Sequence, residues 1–291
     1  AIVTLFAGSS QPSASAFPGL LGELFASYSQ RDWAVIEVGA GSGAYAAGLL
    51  AACRADGGAL AGLHLVERSP THRAALAERF RGEPLVRLHD STASAVAAAG
   101  SRALVFSNEL PDAFPARQLC FWEGQWQEVW LDWSGGAVAE VFRPLGEGMD
   151  CDAPARPREG QRLFVHPAYH RWLREELAGL REGAVITVDY GAARPSGECR
   201  AYENQQRFDG FAVYERPGER DLTCDVNFAD LQRWGEQLGW ETFFRADLAS
   251  FLNTVHPRAD AVCGEAERRL RSPFDAGGAF QVLVQAVRPR P

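Results

Sequence analysis

Four short stretches of the 291-residue chain carry groups that could hold a ligand or move a proton. In "VIEVGAGSG" (Val35 to Gly43) an apolar run containing Glu37 leads into Gly39, Gly41 and Gly43. These glycines fit a tight strand-to-helix turn whose backbone N–H groups can approach a phosphate, a dinucleotide or an adenosyl group. "HLVERSP" ends a second apolar run at Glu67, an acid able to accept hydrogen bonds from two ribose hydroxyls. "RLHD" ends at Asp90, which could meet an adenine amino group or cap a helix beginning near Thr92. "SNELPDAFP" places Asn108, Glu109 and Asp112 in a turn stiffened by two prolines. Such a turn after a strand lies at the carboxyl edge of a sheet, where open α/β folds bind ligands.

The glycine loop has three readings. Read as GxGxxA and ending at Ala44, it is a dinucleotide fingerprint; read as ExGxGxG from Glu37 through Ala40, it is the nucleotide loop of class I methyltransferases. A glycine-rich turn that binds nothing is the third. Ser42 is not a nucleophile elbow, because Ala40 stands where GxSxG needs its first glycine. Glu67 alone would pass for a surface acid, but its position after the loop favours a ribose partner. The fourth stretch separates the cofactors: hydride transfer has no evident need for two acids, whereas a methyl acceptor bearing N–H groups does.

Composition narrows the field further. Net charge is −8, which disfavours nucleic acid because backbone binding needs a cationic surface. There is no lysine, so a Walker-type phosphate loop and Schiff-base or pyridoxal chemistry are excluded. Arginine in place of lysine, with abundant Ala and Gly, suggests a GC-rich bacterial genome. The six cysteines (Cys53, Cys120, Cys151, Cys199, Cys224, Cys263) include no CxxC pair and read as reduced thiols of a cytoplasmic protein. No apolar run reaches the roughly 18 residues of a membrane-spanning helix, so no membrane role is expected. His166 and His170 have the i, i+4 spacing of zinc ligands, but no Glu follows His166 and no third ligand is apparent, so no metal is expected.

The elements that must position these residues alternate through the first half. Strands are expected at Trp33–Val38, Leu60–Glu67, Pro84–His89 and Ala103–Glu109, with helices at Ala44–Arg54, from Pro70, and at Thr92–Ala99. That alternation argues an α/β fold with a doubly wound, mainly parallel sheet. The pattern then breaks into a hairpin over Gln118–Trp133 turning at Glu123-Gly124, a strand near Ala137–Phe142 and a Pro/Gly-rich loop over 146–161. A helix over His166–Gly179 and a strand over Gly183–Gly191 follow, the strand carrying Asp189 and Tyr190. Arg194–Thr223 reads as irregular, Asn227 as the cap of a helix, and Ala279–Val287 as an antiparallel edge strand. Trp122, Trp126, Trp130 and Trp133 read chiefly as core packing, with leftover rings suiting a protein substrate or a homodimer contact.

Taken in order, "VIEVGAGSG", "LVERSP", "SNELPDAFPARQ", "VITVDYG", "CRAYENQQ" and "PGERDLTCDVNFADL" resemble the MidA-like family of S-adenosylmethionine-dependent methyltransferases. The resemblance runs from about Phe17 onward. A mitochondrial member of that family helps assemble respiratory complex I by dimethylating a protein arginine. Family members generally begin with an additional Tyr-rich segment that covers the active site, and this chain starts at or after the end of it. The resemblance implies a class I methyltransferase, Rossmann-like, with β-rich and loop insertions. It implies that Gly39, Gly41, Gly43 and Glu67 hold S-adenosylmethionine, with Asn108 and Glu109 beside the methyl group. With the residue-level readings added, the cofactor set is Glu37, Gly39, Ala40, Gly41, Gly43, Glu67, Asp90 and Asn108. The catalytic set is Glu109, Asp112, Asn108, Asp189 and Tyr190; carboxylates can grip a guanidinium bidentately and take its proton. The whole chain, residues 1–291, is expected to be one methyltransferase domain, with insertions at 115–165 for substrate recognition and at 192–226. The acceptor is a protein arginine by resemblance, or a small molecule; a non-catalytic cofactor-binding assembly factor and an NAD-dependent dehydrogenase are the other readings.

Overall fold

The apolar run after Trp33 forms β1 (Ala34–Val38), buried at all five positions because strands flank it on both sides. The computed structural model describes residues 33–55, 60–134, 137–146, 149–193, 196–204, 206–255 and 264–288. The expectations placed on residues 1–32, on Arg194 and on Cys263 lie outside these. The chain divides into two compact units: Ala1–Leu110 with Arg174–Val188 and Gly235–Pro291, and Pro111–Leu173 with Asp189–Trp234.

In the first unit, β1 leads through the glycine loop into α1 (Ala44–Ala55), then β2 (Leu63–Val66), α2 (Pro70–Arg79), β3 (Val86–His89), α3 (Thr92–Ala98) and β4 (Arg102–Asn108). Local chemistry sets the helix starts. Pro70 occupies the first turn of α2, and the Ser69 hydroxyl accepts from the His72 N–H at 3.4 Å. At α3 the cap is Ser91, whose hydroxyl accepts from Ser94 N–H at 3.3 Å. Asp90 is therefore not the cap of this helix, one of its two expected roles. β1 pairs in parallel with β2 on one side and β4 on the other, and β3 extends the sheet beyond β2. The chain reverses its direction of travel across the sheet between β1 and β4, and that switch point opens the crevice in which such sheets hold ligands.

In the second unit come β5 (Arg117–Trp122), β6 (Gln125–Ser134), β7 (Ala137–Pro144) and β8 (Arg162–Val165), which form an antiparallel sheet in the order β7-β6-β5-β8. Glu123 and Gly124 both adopt positive φ, 53° and 76°, as a two-residue turn matched to strand twist requires. The tryptophans depart from the core expectation. Trp122, Trp130 and Trp133 are exposed, Trp133 at 59%, and Trp126 packs edge-on against Phe121 at 5.6 Å.

α4 (Pro167–Glu176) and β9 (Glu182–Ala192) follow, β9 pairing in parallel with β4 over Glu182–Val188. The segment read as irregular instead contains β10 (Cys199–Glu203), β11 (Gln206–Phe208) and β12 (Asp221–Cys224), a three-stranded antiparallel sheet. Its strands are short and polar, so no alternation betrays them. β13 (Val226–Asn227) pairs with Gly191 and Ala192 of β9, and a Cβ at Gly191 would lie 2.2 Å from the Val226 carbonyl oxygen. α5 (Phe228–Gln237) is capped as expected: Asn227 Oδ1 accepts from Ala229 N–H at 3.1 Å, and Asn227 Nδ2 donates to Asp230 at 3.0 Å.

β14 (Glu241–Asp247), α6 (Leu248–Val255), α7 (Glu265–Arg271) and β15 (Phe280–Val287) return to the first unit. Its strand order is β14-β15-β9-β4-β1-β2-β3. The tail strand β15 is antiparallel to β14 but sits one place inside the edge, which β14 occupies. Among the described residues, no helix is long and apolar enough to cross a membrane.

Candidate functional site

The glycine loop leaves the carboxyl end of β1 with its backbone folded back onto the protein. Gly39, Gly41 and Gly43 carry φ of 76°, 51° and 73°, values open to glycine at little cost. Gly43 is also a packing glycine, since a Cβ there would lie 2.7 Å from both Leu76 and Phe80. The amides differ from the expected cradle of N–H groups turned toward a ligand. Gly39 and Ala40 N–H both donate to the Val66 carbonyl, at 2.9 and 3.1 Å, and Gly43 N–H donates to the Ala40 carbonyl at 2.8 Å. Gly41 N–H donates to Glu67 Oε2 at 3.0 Å. The loop therefore offers a ligand a side-chain-free surface whose glycine donors are already engaged.

Glu37 adds a buried carboxyl. It is 4% exposed, and its carboxyl accepts from the Ala46 N–H in the first turn of α1. Burial pushes its pKa up to about 8, against the opposing pull of that amide and of Arg79. Its Oε2 is buried with no hydrogen-bond partner. A carboxyl at the helix N-terminus, where a pyrophosphate would otherwise sit, disfavours a dinucleotide. An adenosyl ligand whose other end carries an ammonium fits, because the orphaned oxygen can accept from that cation.

Glu67, just after β2, is held in place before any ligand arrives. Oε1 accepts from Ser69 N–H at 2.8 Å and Oε2 from Gly41 N–H at 3.0 Å, so each oxygen keeps a lone pair for a ribose hydroxyl. Arg73 braces the same corner by donating to the Glu67 and Arg68 carbonyls, each at 2.7 Å, and Arg79 donates to the Ser42 carbonyl at 2.7 Å. Neither arginine was singled out from the sequence; Arg73 reaches back to carbonyls five and six residues before it, while Arg79 reaches Ser42 across the fold. Asp90 is exposed and lines an open hollow with Arg73, Leu88, His89 and Ser94. Behind it, His64 Nδ1 and His89 Nε2 are 2.9 Å apart, and burial lowers His64 to about 4.

At the end of β4 the chain turns sharply. Glu109 sits at φ 49°, a left-handed conformation unusual for a non-glycine residue and frequent at functional sites. Its N–H donates to the Val188 carbonyl at 2.9 Å, and its Oε1 accepts from Asn108 Nδ2 at 3.2 Å. Asn108 Oδ1 is buried without a partner. Donating its amide N–H to Glu109 leaves Asn108 with an acceptor to present.

In the second unit, Asp112 lies on a single 3-10 turn (Pro111–Ala113) and is half-buried. Asp189 is 0% exposed: Oδ2 accepts from Asp112 N–H at 3.0 Å and Oδ1 from Tyr190 N–H at 2.7 Å. The expectation that the Asp189 carboxylate faces an acceptor meets a side chain turned inward onto two backbone amides. Tyr190 is half-buried. His166 and His170 diverge: His166 Nε2 is 3.6 Å from Cys224 Sγ, while the His170 ring stacks on Trp234 at 4.7 Å. No group of three metal-ligating side chains occurs among the described residues.

Sheet order, switch point and glycine corner together define a class I methyltransferase fold, Rossmann-like with insertions. The chain belongs to the family described as "Putative S-adenosyl-L-methionine-dependent methyltransferase", whose model matches residues 21–245. S-adenosylmethionine is the cofactor of that family. Among its relatives is a mitochondrial protein arginine methyltransferase NDUFAF7 homologue from Drosophila melanogaster, 28% identical over 207 residues. The match covers 61% of this chain and 46% of that protein, so the chain spans about half the length of its curated relative. Two solved structures from Burkholderia thailandensis share the fold at 24% identity. One, bound to S-adenosyl-homocysteine, has a TM-score of 0.73 and covers 94% of this chain and 76% of its own. The other, a native uncharacterized protein, has a TM-score of 0.75 and covers 94% and 80%.

If Glu67 is the ribose acceptor, Glu67→Ala should weaken S-adenosylhomocysteine binding by about 1.5–3 kcal/mol, the worth of hydrogen bonds to a charged group. Titration calorimetry measures it. Unchanged affinity would remove Glu67 from the site.

Proposed function

We propose that the chain transfers a methyl group from S-adenosylmethionine to a guanidinium nitrogen of a protein arginine. The observation that carries this reading is the Asn108–Glu109 corner. A buried carbonyl oxygen without a donor sits beside a carboxylate, on a backbone held in a left-handed turn. Such a pair suits a ligand that only donates, and the guanidinium is a planar fork of five N–H donors with no acceptor. The name of the Drosophila relative, a protein arginine methyltransferase, points the same way.

The bound cofactor supplies an electrophilic methyl on a sulfonium. Glu37 would hold its ammonium end, Glu67 its ribose hydroxyls, and Asp90 would meet the adenine. Glu109 would hold and orient the guanidinium of the acceptor, and positioning of this kind supplies a large part of the rate. Glu109 takes the proton that the methylated nitrogen gives up. Asp189 acts at one remove, fixing the turn that carries Asp112 through the Asp112 N–H. Residues 115–165 and 192–226 are the parts available to recognise the acceptor protein.

The test is transfer of labelled methyl to arginine-containing proteins and peptides, with mass spectrometry reading mono- and dimethylated arginine. Label found only on a small hydroxylated molecule would replace the arginine reading. Cofactor binding without turnover on any acceptor would leave the assembly-factor reading.

A further inference from the structure

The outer strand of the β7-β6-β5-β8 sheet carries an unusual set of neighbours. Among the described residues β7 pairs on one side only, with β6, so its other edge presents free backbone N–H and C=O groups. Apolar side chains are exposed beside that edge on both faces of the sheet: Trp130 (44%) and Val141 (37%) on one, Leu131 (49%) and Trp133 on the other. Monomeric proteins blunt such edges with charge or proline. Here Glu140 is tied to Arg162 in an ion pair of 2.5 Å, the Arg143 guanidinium lies 4.6 Å from the Trp130 ring centroid, and Pro144 comes only at the end.

We propose that two copies of this chain associate edge to edge through β7, antiparallel about a two-fold axis at Val141, joining their sheets into one. The β6–β7 register makes the proposal specific. Trp130 pairs with Val141, Asp132 with Ala139, and Glu128 with Arg143, and directly paired residues share a face. Antiparallel pairing about Val141 sets Val141 against its own copy and Ala139 opposite the second copy's Arg143. One face then carries a continuous row of Trp130, Val141, the second copy's Val141 and its Trp130, which buries the exposed apolar groups at the axis. The flanking rows run Asp132, Ala139, then the second copy's Arg143. Strands about 4.8 Å apart leave an arginine side chain able to reach Asp132 over the small Ala139. The two-fold repeats this contact, giving two matched ion pairs. Symmetric closure of this kind is how most soluble dimers form, and the charge match is what favours a second copy over a strand of an acceptor protein. The inference is independent of the catalytic reading, because it uses none of the proposed site residues.

Sedimentation of the full chain tests it, with a dimer expected. Arg143→Asp should weaken the dimer about tenfold or more by setting like charges together, and so should Asp132→Arg. The combined Asp132→Arg, Arg143→Asp chain should recover it. A wild-type chain that stays monomeric overturns the proposal. So does a dimer indifferent to either single change, or one that the charge swap fails to restore. Val141→Cys provides a second measurement if a charge variant fails to fold. With oxidised glutathione as oxidant, the two axial thiols should form one intermolecular disulfide and release two reduced glutathiones, while the wild-type chain with its native cysteines forms none. Absence of that cross-link, or an equal cross-link in wild type, rejects the register.

Discussion

Replacing Glu109 by Gln is expected to lower methyl transfer by roughly a hundredfold or more, the usual cost of losing a positioned acid–base or orienting group. Binding of S-adenosylhomocysteine should barely change. Gln keeps the shape of the side chain, and the left-handed backbone at Glu109 is held by its N–H bond to Val188, which the substitution leaves in place. The charge alone is removed. A cationic acceptor then loses a charge-assisted contact of the stronger kind, and the nitrogen loses a base. In the proposed reading Glu37 and Glu67 hold the cofactor, which then makes no demand on that charge. Single-turnover kinetics alongside calorimetry separates the two effects. Near-normal transfer in the variant would end the carboxylate mechanism, and collapse of cofactor binding would move Glu109 into the nucleotide site.

A second large effect is expected at Glu37. Burial raises its pKa from 4.5 to about 8 in the folded protein. A carboxyl raised in the folded state contributes stability that is fully present below pH 4.5 and is lost as pH rises toward 8, where the unfolded chain ionises and the folded one does not. Glu37→Gln cannot ionise. Its stability relative to wild type should therefore climb across that window by on the order of 4 kcal/mol. Comparing the two proteins isolates this group from others that titrate nearby, such as His64, His166 and Asp230. Urea unfolding at a series of pH values reads the difference. Binding gives an independent readout: a ligand ammonium at Glu37 should release close to one proton from the wild-type protein near pH 7, and none from the variant. Calorimetry in buffers of different ionisation enthalpy counts that proton. Parallel stability curves from about pH 5 to pH 8 would show that water reaches the carboxyl and holds its pKa near the ordinary value.

Much of the α/β half was legible because its signals are local. Four apolar runs between helix-period segments mark β1 to β4, and a cap such as Asn227 acts within a few residues of itself. The order of Glu37, the glycines, Glu67 and the Asn108–Glu109 turn could be read for the same reason, since each closes a strand at the same edge of a parallel sheet. The short polar strands β10 to β12 were not legible, because their pairing stabilises them and their own sequence does not.

What the sequence by itself determined is the class of chemistry: a glycine corner, an acid closing the second strand and a turn rich in acceptors, with lysine-dependent mechanisms excluded. Only the tertiary structure decided how those groups are used. Val66 lies far along the chain from Gly39, yet its carbonyl takes the amides of Gly39 and Ala40. Strand pairing encloses Glu37, and that enclosure, not the residue type, makes its carboxyl hard to ionise. Asp189 turns inward onto two backbone N–H groups, and Trp130 and Trp133 of β6 stay exposed because no element among the described residues covers them. Burial and hydrogen-bond partnership depend on segments distant in sequence, and they set the charge, reach and orientation on which chemistry depends.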